Sequence, residues 1–239
     1  MGLQAHQLAY DIEQLILRRL RGLKIPRPKS ITDDIVPDIM KILPTETFEP
    51  AYPWTKGITF FHGDVDQESC LDMQLELTTI HGNLAPGIPI TMYLSSFGGH
   101  CESGMALFST IQEIRRDGRK VNCHIQGMAM SMGTYLLQAC DERTIEPFAA
   151  FMVHEAHDHL IGKTSDLEDQ MAALKRYENT MNQIYAERSG KSVEYWREKM
   201  ARRDVYMTAR EALNEGLVDK IRKTPPFAEP KRTRAVEKT

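Results

Sequence analysis

The 239-residue sequence has no long apolar segment, because no run approaches the roughly eighteen apolar residues that a membrane-spanning helix needs. It also lacks the apolar core of an N-terminal secretory signal, so we expect a cytoplasmic protein with no membrane partner. Neither charge sign is in large excess, because the net charge is only −3 and acidic and basic residues are intermixed. This balance gives no indication of nucleic-acid binding. The length suits one domain of moderate size with an appendage.

Cysteine is scarce, and its four occurrences include no Cys-x-x-Cys pair. Each cysteine lies in an apolar or helical context, which indicates buried free thiols rather than a disulfide framework or a zinc knuckle. The four are Cys70, Cys101, Cys123 and Cys140.

Three histidines, His154, His157 and His159, occur close together and could suggest a metal site. If the segment is extended, alternation places His157 and His159 on one face and His154 on the other. The run also lacks the two histidines four apart on a helix that zinc peptidases use. We therefore expect no metal ion here.

Composition divides the chain into three segments. Residues 1–56 form an extension with an amphipathic helix over 5–25 and a proline-rich linker. The basic second half of that helix would suit a membrane or nucleic-acid arm, or a cleavable propeptide. Because Asp11 and Glu13 interrupt the basic character, a helix that docks on its own subunit or a neighbour is favoured. Residues 57–222 form the regular domain, and 223–239 a charged tail that we expect to be disordered.

Strands and helices alternate three times at the start of the regular domain. Strands are predicted over 58–61, 88–94 and 121–125, each followed by a glycine turn and a helix. This order is typical of an α/β fold with a mostly parallel sheet, whose sites gather at the carboxyl ends of the strands. Asp66 can cap the first of these helices, and capping boxes at 165–168 and 208–211 predict the starts of a long helix and of the last helix.

Ser131 lies in a turn between a predicted strand and a predicted helix, within Gly-Met-Ala-Met-Ser-Met-Gly at 127–133. A tight turn there exposes the hydroxyl, and the start of the helix offers free amides to a developing oxyanion. Taken alone, the pattern favours a serine that caps a buried helix over a nucleophile.

Two further residues could complete a nucleophilic centre. His154 follows a short apolar strand over 151–153, and Asp204 lies between two predicted helices. A serine needs a base to take its proton, and the base needs a carboxylate to fix its tautomer, so Ser131, His154 and Asp204 supply the three types. The amides of Gly99 and Met132 could form an oxyanion hole, because a glycine allows a close backbone approach.

Four segments together resemble the Clp protease proteolytic subunit (ClpP) family of serine peptidases. They are Ser-Ser-Phe-Gly-Gly at 95–99 with its following helix, the serine segment at 126–133, the histidine strand at 151–154 and the aspartate segment with the last helix at 203–219. The resemblance implies a crotonase-like ββα superhelix with a protruding handle helix over 165–189. It also implies the triad Ser131, His154 and Asp204 and the oxyanion hole of Gly99 and Met132.

The resemblance further implies an assembly and partners. Family members form two stacked heptameric rings, a tetradecamer, with an enclosed chamber. A hexameric AAA+ unfoldase, which uses the ATP, delivers unfolded polypeptides, and the peptidase itself needs no cofactor. Three alternatives stay open: a non-catalytic scaffold subunit, a phage prohead-type maturation protease of the same fold, and crotonase-type acyl-CoA chemistry.

Overall fold

Seven strands and six helices follow one another along residues 56–223, the part of the chain that the computed structural model describes. The predicted N-terminal helix, the linker and the C-terminal tail lie outside these residues. The first half contains β1 (Ile58–Val65), α1 (Gln67–Asn83), β2 (Ile90–Gly99), α2 (Cys101–Arg116), β3 (Val121–Met130) and α3 (Met132–Gln138).

The second half has shorter strands and the longest helix of the described range. It contains β4 (Arg143–Ile145), β5 (Ala150–Val153), α4 (Thr164–Ser189), α5 (Val193–Met200), β6 (Val205–Met207), α6 (Ala209–Asn214) and β7 (Lys220–Ile221). None of these helices combines the length and the apolar character that crossing a bilayer requires.

The strands form one sheet in the order β1-β2-β3-β4-β7, and neighbours in this order are parallel. β3 is long enough to pair twice: its first half pairs with β4 and its second half with β5. β6 then pairs antiparallel with β5. The sheet therefore confirms the predicted α/β class with a mostly parallel sheet.

The first three strands extend further at their carboxyl ends than the sequence predicts, and β3 reaches Met130. β1 continues past Gly63, with an irregularity between His62 and Asp64, and β2 continues through Gly99. The prediction that Gly98 and Gly99 form a turn is therefore wrong. Glycine is uncommon inside strands and favours a turn prediction. Here both glycines keep their pairing with β1, where a side chain would collide with neighbouring backbone.

Helix starts follow the capping signals in two of three cases. The Asp66 side chain accepts a hydrogen bond from Ser69 N at 2.8 Å and begins α1, and Thr208 with Glu211 forms the predicted box of α6. The box predicted at 165–168 is wrong, because α4 begins at Thr164 and Asp166 accepts from Lys163 N. The helix thus starts two residues earlier than the predicted box, with Lys163 as its N-cap and Asp166 as the acceptor.

The core lies between the sheet and the helices that cover it. Alternate residues of β2, namely Ile90, Met92 and Leu94, are fully buried, as are Leu77 of α1 and Leu107 of α2. Burying each of these large side chains stabilises the fold by about 1.5–3 kcal/mol. This layer holds the carboxyl ends of β1, β2 and β3 in fixed positions.

The four cysteines are free, as predicted, and three of them are buried. The prediction of burial is wrong for Cys101, which is only partly buried. Cys101 is the first residue of α2 and lines a cleft there.

Candidate active site

Ser131 occupies the sharp turn between β3 and α3. Its backbone has φ +48°, a value that non-glycine residues rarely adopt. Such a conformation costs about 1–3 kcal/mol and persists only where the surrounding structure enforces it. Three hydrogen bonds hold the turn: Ser131 N donates to Met152 O at 2.9 Å, and Thr134 donates to Ser131 O through its amide at 2.9 Å and its hydroxyl at 2.6 Å. The Thr134 hydroxyl is itself paired with the Tyr185 hydroxyl of α4.

Gly98 at the end of β2 backs directly onto this turn. A Cβ placed on Gly98 would lie 2.7 Å from the Ser131 Cβ and 2.8 Å from Met132 N. Its φ of +97° is also one that a side chain disfavours. Glycine is therefore required at this position, because the backbone of β2 approaches the serine turn too closely for a side chain.

His154 reaches Ser131 because β5 is the parallel neighbour of β3. Met152 pairs with Met130, so the two strands end within one residue of each other, at Met130 and Val153. The residues that follow the two strands, Ser131 and His154, therefore converge. His154 Nε2 lies 2.7 Å from Ser131 Oγ, a normal hydrogen-bond distance. The His154 side chain is 15% exposed, so the contact is shielded from most of the solvent.

Asp204 reaches His154 through the antiparallel pairing of β5 with β6. Val153 pairs with Val205, so the next residues outward, His154 and Asp204, stand opposite each other. His154 Nδ1 lies 3.3 Å from Asp204 Oδ1, and the Asp204 side chain is 52% exposed. The structure therefore brings together the three side chains that were selected from the sequence.

The proton affinity of His154 reflects opposing contributions. Burial lowers the pKa of His154, and the charge of the neighbouring His157 lowers it further. Asp204 acts in the opposite direction through its charge and its hydrogen bond, but the net shift in the pKa is downward. The neutral imidazole, which is the form that can accept a proton, therefore persists to lower pH than in a free histidine.

Of the two predicted oxyanion donors, Met132 directly follows Ser131, and Gly99 lines the same cleft. Met132 is the first residue of α3, where an amide has no partner within the helix. At the end of β2, Gly98 N donates to Ser96 Oγ at 3.0 Å and His100 N donates to Val65 O at 2.7 Å. Gly99 lies between these two residues, whose amides both donate hydrogen bonds within the protein.

A cleft of about 930 Å³ opens at the carboxyl ends of β1, β2 and β3 and contains Ser131 and His154. Its far wall is formed by α4, through Leu174, Tyr177 and Met181. The apolar spacing of α4 predicts a stripe for core or partner packing, and it gives no sign that the helix also lines the site. Contacts between distant segments of this kind carry no local signal in the sequence.

The histidine run differs from its prediction. Residues 154–163 form neither strand nor helix, and the rings of His154 and His157 meet at 4.9 Å between centroids with an interplanar angle of 64°. The expectation that these two side chains lie on opposite faces is wrong, because it depended on an extended segment. Within residues 56–223, no group of three or more His, Cys, Asp or Glu side chains could hold a metal ion.

Two residues that hold the serine turn, Thr134 and Tyr185, were not predicted from the sequence, and neither was the contact of His157 with His154. Thr134 follows Ser131 by three residues, a spacing at which a threonine often bonds the backbone of the preceding turn, so it had a weak local signal.

One family model, that of the Clp protease, matches residues 54–225, well over half of the 239-residue chain. The mostly parallel α/β sheet agrees with the fold expected for this family. The chain belongs to the Clp protease family.

Proposed function

We propose that this chain is a serine endopeptidase subunit of a Clp-type barrel, with Ser131, His154 and Asp204 as its catalytic triad. The observation that carries the proposal is the 2.7 Å contact between His154 Nε2 and Ser131 Oγ. The Asp204 carboxylate lies on the other nitrogen of the same ring, which supports the order nucleophile, base and orienting acid.

The first step is acylation of the serine. Ser131 Oγ attacks the peptide carbonyl carbon while its proton passes to His154 Nε2. Asp204 accepts a hydrogen bond from Nδ1–H and stabilises the imidazolium that forms. The carbonyl oxygen becomes an oxyanion that accepts hydrogen bonds from the amides of Gly99 and Met132, a type of interaction worth about 2.7–4 kcal/mol per donor in the transition state.

The second step releases the product and restores the enzyme. His154 gives its proton to the leaving amine as the C–N bond breaks, which leaves an ester on Ser131. A water molecule then attacks that ester while His154 takes its proton, and the serine hydroxyl is regenerated as the acid departs. Every proton in this cycle is moved by His154.

Family membership supports a proposal for the assembly and the partner. We propose two stacked heptameric rings joined through the predicted handle, α4, and a AAA+ unfoldase that hydrolyses ATP and delivers unfolded polypeptide. Exposed apolar side chains near the start of α4 support a contact with another subunit: Ile161 is 85% exposed and Met171 is 44% exposed.

A fluorophosphonate probe tests the proposal, because it labels a serine only where the serine is activated. Wild-type protein should be labelled and should cleave short peptides, while Ser131→Ala should do neither. A folded wild-type protein that is neither labelled nor active on peptides, with or without an unfoldase, would show a scaffold subunit instead. Negative-stain images of the same preparation would test the ring assembly separately.

A further inference from the structure

His157 is in direct contact with the ring proposed as the catalytic base. The two imidazole rings meet edge to face, 4.9 Å apart, at the mouth of the cleft. The remaining sides of His154 are occupied by Ser131 on Nε2 and by Asp204 on Nδ1. His157 is thus the third side chain that contacts this imidazole, and the triad mechanism assigns it no role.

We propose that His157 is a positioning residue for the catalytic base: its ring packs against His154 and, when protonated, places a like charge beside it. This arrangement keeps the base neutral, and therefore able to accept the serine proton, under mildly acidic conditions. The inference rests on the proposed function, in which His154 is the base.

Two physical effects act in the same direction. A ring packed on the imidazole removes water, which disfavours the charged form of His154. A positive charge on His157 at this distance disfavours a second positive charge on His154 by Coulomb repulsion. Consistently, both burial and His157 lower the pKa of His154, while Asp204 raises it. Removing His157 weakens both effects, so the direction of the change does not depend on which one is larger.

Other ionisable groups line the same cleft. Its acidic side chains come from the end of β1, the start of α1, α2 and the histidine loop, namely Asp64, Asp66, Glu102, Glu155 and Asp158. His100 at the end of β2 and His159 in the loop are its other imidazoles, and Tyr177 of α4 lies on the far wall. These groups are unchanged in a His157 variant, so their contribution cancels when that variant is compared with the wild type.

The experiment measures kcat/KM for a short peptide between pH 5 and 9 in the wild type, His157→Gln and His159→Gln. We expect the acid limb of the profile to move to higher pH in His157→Gln, so that activity is lost at low pH and largely kept at high pH. His159→Gln changes a histidine of the same loop and should leave the limb in place. An acid limb that is the same in His157→Gln as in the wild type would overturn the inference.

NMR titration of the His154 ring protons supplies a readout that needs no activity. The midpoint for His154 should rise in His157→Gln relative to wild type, and an unchanged midpoint would overturn the inference even if the peptide assay could not be run. A wild type without Ser131-dependent labelling would instead count against the proposed function. The two failures are therefore distinguishable.

Discussion

Thr134 Oγ1 donates to the carbonyl oxygen of Ser131 at 2.6 Å, so the first turn of α3 fixes the backbone of the residue that we propose as the nucleophile. Because a hydroxyl has one proton, the same oxygen accepts from Tyr185, whose ring also stacks on Tyr135 at 4.4 Å between centroids. This contact extends the support of the turn from α3 to the buried part of α4.

Thr134→Val should slow the reaction at Ser131. Valine keeps the shape of threonine but removes the hydrogen bond to Ser131 O, worth about 1 kcal/mol, and the oxygen that pairs with the Tyr185 hydroxyl. We expect fluorophosphonate labelling of Ser131 to slow by about fivefold or more. Thr134→Ser keeps the hydroxyl and is the matched control. Equal labelling rates for Thr134→Val and wild type would show that the turn holds its shape without this hydroxyl.

Gly98→Ala should abolish most of the activity. The added methyl group would lie 2.7 Å from Met130 O and 2.8 Å from Met132 N, so the backbone around Ser131 must move. Displacing a reacting group by about 1 Å can cost about a hundredfold in rate. Gly118→Ala is the control, because Gly118 also has a positive φ, +86°, but has no atom within 4 Å of the new methyl group.

Peptide hydrolysis and thermal unfolding are both measured for Gly98→Ala and Gly118→Ala. Gly118→Ala should lose some stability and keep its activity. If Gly98→Ala also retained activity, the close approach of β2 to the serine turn would not matter for catalysis.

Asp204→Asn should reduce turnover while leaving assembly intact. An asparagine side chain has no negative charge and can donate a hydrogen bond to Nδ1. It therefore favours the wrong histidine tautomer and does not stabilise the imidazolium. In a fully buried triad the loss is about 10⁴-fold. Asp204 is 52% exposed and 3.3 Å from the ring, so we expect a smaller loss, of at least about tenfold in kcat. Peptide turnover is measured after size-exclusion chromatography. Near-normal turnover would show that Asp204 is not the acidic residue of the triad.

Asp219→Asn should destabilise the domain more at neutral pH than at low pH. Arg143 is buried and bonds the Asp219 carboxylate through its guanidinium and its backbone amide. Burial raises the pKa of Asp219, but these hydrogen bonds and the charge of Arg143 outweigh it, and the net shift is downward. The stabilisation is therefore fully present above the ordinary carboxyl value of 3.8 and is lost as the pH falls through the lowered pKa.

Breaking a buried ion pair costs about 3–5 kcal/mol, and because Asp219 is 35% exposed we expect about 2 kcal/mol at pH 7. Urea unfolding at pH 7 and at pH 3 measures the difference, which should shrink at the lower pH. Glu142→Gln breaks the more exposed pair with Lys220 and should cost less than about 1 kcal/mol at either pH. An equal loss in the free energy of unfolding for Asp219→Asn and Glu142→Gln would contradict the conclusion that burial of Arg143 strengthens its pair with Asp219.

Local signals predicted the elements better than they predicted the contacts between them. Asp66 and Thr208 start helices because capping depends on residues three apart, which a sequence shows directly. The pairing of His154 with Asp204 depends on strand register, so the sequence supplied only the residue types and their order. The position of His157 follows from an irregular loop whose path no periodic pattern describes.

The four residues of β5 join two ladders, one to β3 and one to β6, and each ladder ends at a different partner of His154. Side chains alternate along a strand, so one inserted or deleted residue in β5 would turn His154 to the opposite face and separate it from Ser131 and Asp204 at once. Related sequences can therefore vary the apolar side chains of this strand, while its length is fixed by the chemistry at its end.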